Sequence, residues 1–147
     1  MNKTIILVIA VIVIAVAAAV LIFTSSDEKE SGQRITVQIG EKSYTAVLYD
    51  TDAAMEFAER LPVTIEMNEL NGNEKYFNFD EPFTQNSKTA GRIEKGDIKL
   101  YGDNCVVLFY DSFMSGYSYT SIGYIEDSSG LESAVGTGNV TVTFAAE

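Results

Sequence analysis

No histidine and no tryptophan occur in the chain, and a single cysteine, Cys105, stands among 147 residues with only two prolines. Each shortage closes a class of chemistry. Without histidine there is no Ser-His-Asp or Cys-His pair, so Cys105 lacks its usual base and reads as a small core hydrophobe. A transition-metal site calls for several His or Cys ligands, which are missing. One cysteine cannot close an internal disulfide, so stability must come from a packed core. Asp50/Asp52, Asp80/Glu81 and Glu126/Asp127 lack the D-x-D-x-D-G spacing of a calcium loop and read as solvated turns. "GTGNV", residues 136–140, has neither the Lys nor the strand-loop-helix order of a phosphate loop, and reads as a turn into the last strand. No metal and no cofactor is expected.

Positive charge is also scarce. Ten Lys and Arg face 21 Asp and Glu, a formal net charge of −11. The chain beyond residue 24 holds all 21 acids and nine of the ten basic residues, leaving −12 there. Such a surface repels phosphates, so neither nucleic acid nor an anionic membrane surface is expected as its ligand. Acidity of this kind keeps a domain soluble.

What the chain has in abundance is one long apolar run. Ile5 to Phe23 is nineteen residues without charge, glycine or proline, roughly 28 Å of helix and close to the hydrocarbon thickness of a bilayer. Lys3 precedes it and "SSDEKE" follows, which predicts a cytoplasmic N-terminus and an extracytoplasmic remainder. Two readings stay open. The run is a single-pass transmembrane anchor in the cell membrane, or a signal peptide cleaved near Ala15, Ala17 or Ala19, which would release a secreted domain. Val20 to Phe23 extend the apolar run past those alanines and favour the anchor. The expected organisation is an anchor or signal segment at 1–24, a polar tether at 25–34 and one domain at 35–147.

Past the tether the pattern is mostly strands. Ile35, Val37 and Ile39, then Tyr44, Ala46 and Leu48, alternate on either side of Gly40 and mark a hairpin. "DTDAAMEFAERLP" reads as a helix capped by Asp50 or Asp52, with Ala54, Phe57, Ala58 and Leu61 on one face and Pro62 as its stop. "VTIEMNEL" alternates as a half-exposed strand, and Asn71-Gly72 signals the next turn. Ile98 and Leu100 share one face of a further strand. "CVVLFY" is continuously apolar, hence a central strand buried on both sides. Between it and the strand "YTSIGYIED" lies a stretch rich in tyrosine, read as a loop. A short helix from Ser128 or Ser129 and the strand "NVTVTF" end the chain. Seven or eight strands and two short helices predict a mainly β fold, a closed β-barrel with helices over its ends.

Three segments carry a family likeness. "ITVQIGEKSYTAVLYDTDAAMEFAERL" is similar to the cyclophilin opening, an I-x-V-x-x-G hairpin followed by a helix with A-x-x-F spacing. "KGDIKLYGDNCVVLFY" is similar to the G-x-x-x-M-A-N turn and the strand after it. "YTSIGYIEDSSGLESAV" is similar to V-F-G-x-V-x-x-G-x-x-x-V-x-x-M, with Gly123 on the strand glycine. From about Ile35 to Phe144 the chain therefore resembles the cyclophilin fold, and more closely its small bacterial and archaeal cyclophilin-like relatives.

The resemblance implies a ligand groove and, in cyclophilins, peptidyl-prolyl isomerisation, which works against the barrier set by amide resonance. The family's arginine belongs on the strand after the first helix. That strand here, "VTIEMNEL", has Glu66 and Glu69 and no arginine; Arg60 lies on the helix, where it is expected to solvate the C-terminal end, and Arg92 lies in a polar loop. The family's Gln-x-Phe falls near Cys105 and Val107, its tryptophan near Met114 and its histidine near Tyr119. No catalytic residue carries over. The implied groove candidates are Tyr101, Cys105, Val107, Phe113, Met114, Tyr117 and Tyr119, which would hold a peptide or small molecule; equally, the aromatic residues among them would simply cover the end of the barrel. The expected function is a membrane-anchored, non-catalytic binding module, with a weak prolyl isomerase for exported proteins as the alternative.

Overall fold

The computed structural model describes residues 32–147, and the compact unit runs from Gly32 to Glu147. The predicted membrane segment and most of the tether lie outside the described residues. Among those described, no helix is long and apolar enough to cross a membrane.

The described chain is mainly β, with nine strands and two short helices among its residues. In order these are β1 (Arg34–Ile39), β2 (Lys42–Leu48), α1 (Asp52–Glu59), β3 (Val63–Leu70), β4 (Glu74–Asn78), β5 (Lys88–Ile93), β6 (Asp97–Tyr101), β7 (Cys105–Phe109), β8 (Phe113–Ile125), α2 (Leu131–Val135) and β9 (Val140–Ala146). Strand pairing runs β2-β1-β9-β3-β4-β7-β6-β8 and returns to β2, so eight strands form a closed ring of ladders; β5 hangs from β8 outside it. All the described pairings are antiparallel.

The expected hairpins form where their turn residues stand. β1 and β2 pair from Arg34–Val47 to Ile39–Lys42 around Gly40-Glu41. β3 and β4 meet through a three-residue turn, residues 71–73, in which Asn71 and Gly72 both take positive φ (57° and 70°), the left-handed geometry that asparagine and glycine favour. The inward positions anticipated by alternation, Ile35, Val37, Ile39, Tyr44, Ala46 and Leu48, are all buried. With Ile65, Met67, Ile98, Leu100, Val106, Leu108, Val142 and Phe144 they make the main core, which the helices extend through Ala53, Ala54 and Phe57 and through Leu131 and Val135. β7 is buried on both faces, as a continuously apolar strand should be.

Several local expectations are corrected. Thr51, not Asp50 or Asp52, caps α1, its hydroxyl accepting from the Ala54 amide at 3.2 Å. The second helix starts after Gly130, not from Ser128 or Ser129. Residues 88–93, read as polar loop, form β5. The tyrosine-rich stretch is strand rather than loop, because β8 runs unbroken for 13 residues. Its first half, Phe113 to Tyr119, pairs only with β5, and its second half pairs with β6 and β2. Hydrogen bonding to β5 supplies the order that the sparse apolar pattern of these segments does not announce.

Closure of the ring depends on a close approach. Gly123 pairs with Leu48 on one side and Ile98 on the other, and a Cβ there would sit 2.4 Å from the Val47 carbonyl oxygen. Near the β3–β4 turn, the fully buried Lys75 donates from Nζ to the carbonyls of Gly136 and Gly138 at 2.8 and 2.6 Å and pairs with Glu69 Oε2 at 2.8 Å. Tyr110 donates its hydroxyl to the other Glu69 oxygen. Burial works against the Glu69 carboxylate, but hydrogen bonds from Lys75 and Tyr110, with the lysine's charge, outweigh it and hold the group below its ordinary value. Because the folded value is depressed, this contribution is full above the unfolded value, about 4.3, and is lost as pH falls through the folded one.

Two stability measurements check these features. Gly123→Ala is expected to lower the urea-derived unfolding free energy by about 2–3 kcal/mol, since backbone meets the new methyl and cannot rotate away. Lys75→Met, which keeps the stem and removes the ammonium, is expected to cost about 3 kcal/mol at pH 7. The Lys75→Met difference should narrow as the pH falls below the glutamate range, where Glu69 takes up a proton in both proteins. An equal penalty at pH 7 and in acid would show that the ion pair is not its source.

Candidate functional site

Alternation along each strand decides what faces outward from the ring. On β7, Val106 and Leu108 belong to the main core, while Cys105, Val107 and Phe109 face the other way. On β4, opposite them, Glu74 and Tyr76 share that outer face, and on β6 Tyr101 stands across from Cys105. The ribbon made by β5 and the first half of β8 folds over this outer surface. Its contacts form a second, smaller cluster of Ile93, Val107, Phe109 and Tyr119, with Phe113 packed against it. Phe109 meets Phe113 and Tyr119 with ring centroids 5.8 and 5.6 Å apart.

Beside the ribbon the outer surface is left open as a groove of about 270 Å³. Cys105, Val107 and the buried Tyr119 line it from β7 and β8; Glu74 and Tyr76 line it from β4; Leu70 comes from the end of β3 and Asn71 from the turn after it; Tyr101 and Tyr117 complete the lining. Tyr101 and Tyr117 are 48 % and 66 % exposed and so stand at the mouth. Tyr101 lies 5.7 Å from Tyr119 and 6.2 Å from Tyr117 between ring centroids, the latter pair edge to face. The lining is thus largely apolar and aromatic, with one ionisable carboxyl group.

That carboxyl colours its surroundings. Burial raises the Glu74 value, and the charge of Glu69 adds to the rise, against a hydrogen bond from Asn71. Burial, then the Glu74 charge, push the Cys105 thiol up to about 11. The Tyr119 phenol is raised by the same two causes in the same order. Neither lysine nor arginine lines the groove.

Of the seven residues singled out from the sequence, the structure brings Tyr101, Cys105, Val107, Tyr117 and Tyr119 to this one groove. Phe113 and Met114 are elsewhere. Phe113 packs under the ribbon against Phe109, and Met114, one residue on, points to the opposite face and is 70 % exposed. Tyr117 and Tyr119 lie two apart on one strand and so share a side. Sequence reasoning missed Leu70, Asn71, Glu74 and Tyr76. The signal for two of them was present: in "EKYFN" the core residue Phe77 implies that Tyr76 and Glu74 face the other way.

The two arginines weighed for catalysis are engaged outside the groove. Arg60 does not merely solvate its helix end: Nη1 and Nη2 donate to the carbonyls of Glu81 and Pro82, each at 2.9 Å, and the guanidinium lies 3.5 Å from the Phe83 ring centroid. Arg92, on β5, donates to Glu94 at 2.8 Å on the exposed face. Among the described residues no group of three or more His, Cys, Asp or Glu is placed to hold a metal ion.

The family model described as the cyclophilin-like family matches residues 37–145. In three dimensions the chain is similar to the solution structure of a hypothetical protein from Archaeoglobus fulgidus, with a TM-score of 0.55 and 20 % sequence identity, over 83 % of this chain and 100 % of that one. At that identity the likeness concerns the fold alone. A comparison with curated proteins gives no match.

The electrostatics of the groove make Cys105 a sluggish thiol. Two decades separate its value of about 11 from the ordinary 9.0, so at pH 8 its thiolate fraction is about a hundredfold lower than that of an unhindered cysteine. Alkylation by iodoacetamide is expected to be slower than that of glutathione by roughly tenfold, since the more basic thiolate is also the better nucleophile and offsets part of the loss. It should quicken in Glu74→Gln, which removes the neighbouring charge. A rate matching glutathione would contradict the burial and the charge together.

Proposed function

The chain belongs to the cyclophilin-like family, and on that footing we propose that it is a binding module whose tyrosine-lined groove holds a peptide or small molecule without turning over prolyl bonds. The ring of eight strands serves as the family's closed β-barrel, a rigid frame that fixes the groove's floor. In this reading the apolar run Ile5–Phe23, with Lys3 before it and acidic residues after it, tethers the module to the cell membrane on the extracytoplasmic side.

One observation carries the proposal. The groove offers an apolar and aromatic lining with no guanidinium in it, while Arg60 is bound to the Glu81 and Pro82 carbonyls and to Phe83. Isomerisation as cyclophilins carry it out needs a donor beside the twisting amide. Binding alone needs only the concave surface and a few polar groups.

The test uses the full-length chain in a maltoside detergent. Proline-containing tetrapeptides and a panel of neutral and charged small fragments are titrated while backbone amides are followed by NMR. Saturable shifts are expected at Tyr76, Tyr101, Cys105, Tyr117 and Tyr119. Cis-trans exchange of the same peptides should run no faster than in buffer. Acceleration that tracks protein concentration would replace the proposal with a weak isomerase, and a groove silent to every compound would remove it.

A further inference from the structure

Glu74 is an anomaly in the groove. It is only 7 % exposed, it lines an apolar and aromatic cavity, and among the described residues no cation pairs with it. Its side-chain partner is the Asn71 amide, and the charge that acts on it, Glu69, is negative. The adjacent lysine gives no help. Lys75 points to the opposite face of β4, where its ammonium is held by Glu69 and by the Gly136 and Gly138 carbonyls. A sequestered carboxylate without a counter-charge is unfavourable, and removing water from it without supplying a cation makes it more so.

Four tyrosines, Tyr76, Tyr101, Tyr117 and Tyr119, line the same groove as this group, and Tyr119 is close enough to feel its charge. Aromatic faces attract cations, and several of them beside one carboxylate make a receptor for an ammonium group. The alternatives fit less well. A neutral ligand would leave Glu74 without a counter-charge, and an anion would meet its charge directly. A bare calcium ion wants six to eight oxygen ligands, whereas the cavity provides one carboxylate.

From this juxtaposition we infer that the groove binds an ammonium group, that of a small alkylammonium compound or of a lysine side chain, with Glu74 as its counter-ion and the four tyrosines as its walls. The inference rests on the reading of this groove as a binding site and names its ligand class. Tyr119 and Cys105 lie near Glu74 on the floor, and Tyr101 and Tyr117 close on the ligand from the mouth. The chain's net charge of −11 adds a long-range attraction for the same ligands.

The full-length chain in maltoside, a detergent without an ammonium group, is titrated at constant ionic strength with tetramethylammonium chloride, with N-acetyl-lysine amide and with 2,2-dimethylpropanol as a neutral isostere. Affinity is read by calorimetry and location by amide shifts. At least one ammonium probe is expected to bind at Tyr101, Tyr117 and Tyr119 roughly tenfold more tightly than the neutral compound. Glu74→Gln should abolish that discrimination. Tyr101→Leu should weaken ammonium binding severalfold, while Tyr101→Phe, which keeps the ring face, should not. Tyr101 is half exposed, so these variants keep the test open if Glu74→Gln fails to fold.

Tetramethylammonium alone binding points to a small quaternary compound, and the lysine amide binding as well points to a basic peptide; both outcomes support the inference. Equal affinity for the neutral isostere, or full ammonium affinity in a folded Glu74→Gln protein, overturns it. Neutral ligands shifting the groove while no ammonium probe does would sink the inference and leave the binding module standing. Silence to every probe would sink both.

Discussion

Leu48 and Gly123 face each other where the ladder of strands meets itself, with so little space between backbones that a methyl group on Gly123 would lie 2.4 Å from the Val47 carbonyl. Around this approach the whole arrangement is organised. Closing the ring leaves its strands with partners on both sides, so none of the eight presents a free edge along its full length. Closure also gives the strands an inner and an outer face, and it brings β6, β7 and β4 together as the floor on which the groove rests. With one cysteine and no metal cluster among the described residues, packing inside this ring is the main source of stability on view.

Two neighbouring residues show how far a single step along a strand changes the fate of a charge. Lys75 turns inward, loses all contact with solvent and is matched by a carboxylate and two carbonyl oxygens. Glu74 turns outward into the groove, is nearly as secluded, and meets only an amide. The first arrangement satisfies its donors and pins the segment after α2 to the ring. The second leaves an electrostatic demand on the outer face. The same strand therefore contributes to the frame through one side chain and to the site through the next.

Much of the frame was legible because most ring strands, though not β4 with its inward Lys75, have one apolar face or two, and period-two alternation records that directly. Ile35, Val37 and Ile39 and the run Val106 to Phe109 are the clearest cases. The ribbon was not legible for the same reason. "KTAGRI" and "FMSGYS" carry small and polar residues because one side of the ribbon meets solvent and the other meets only a small cluster, so alternation is diluted and serine and glycine mimic a loop. The groove was half visible. The family likeness reached Tyr101, Cys105, Val107, Tyr117 and Tyr119, but it gave no strand parity, so Met114 was grouped with residues on the opposite face. Glu74 escaped because a glutamate near a turn looks solvated until the tertiary fold covers it.

The ribbon also separates what must stay constant from what can vary. Residues 88–93 and 113–119 pair only with one another, so lengthening them, or exchanging the residues that overhang the opening, disturbs no ladder of the ring. Descendants of such a chain can therefore diverge in what they grip while inheriting the same chassis. A designer could graft a new overhang onto these two segments and leave the remaining strands as they are.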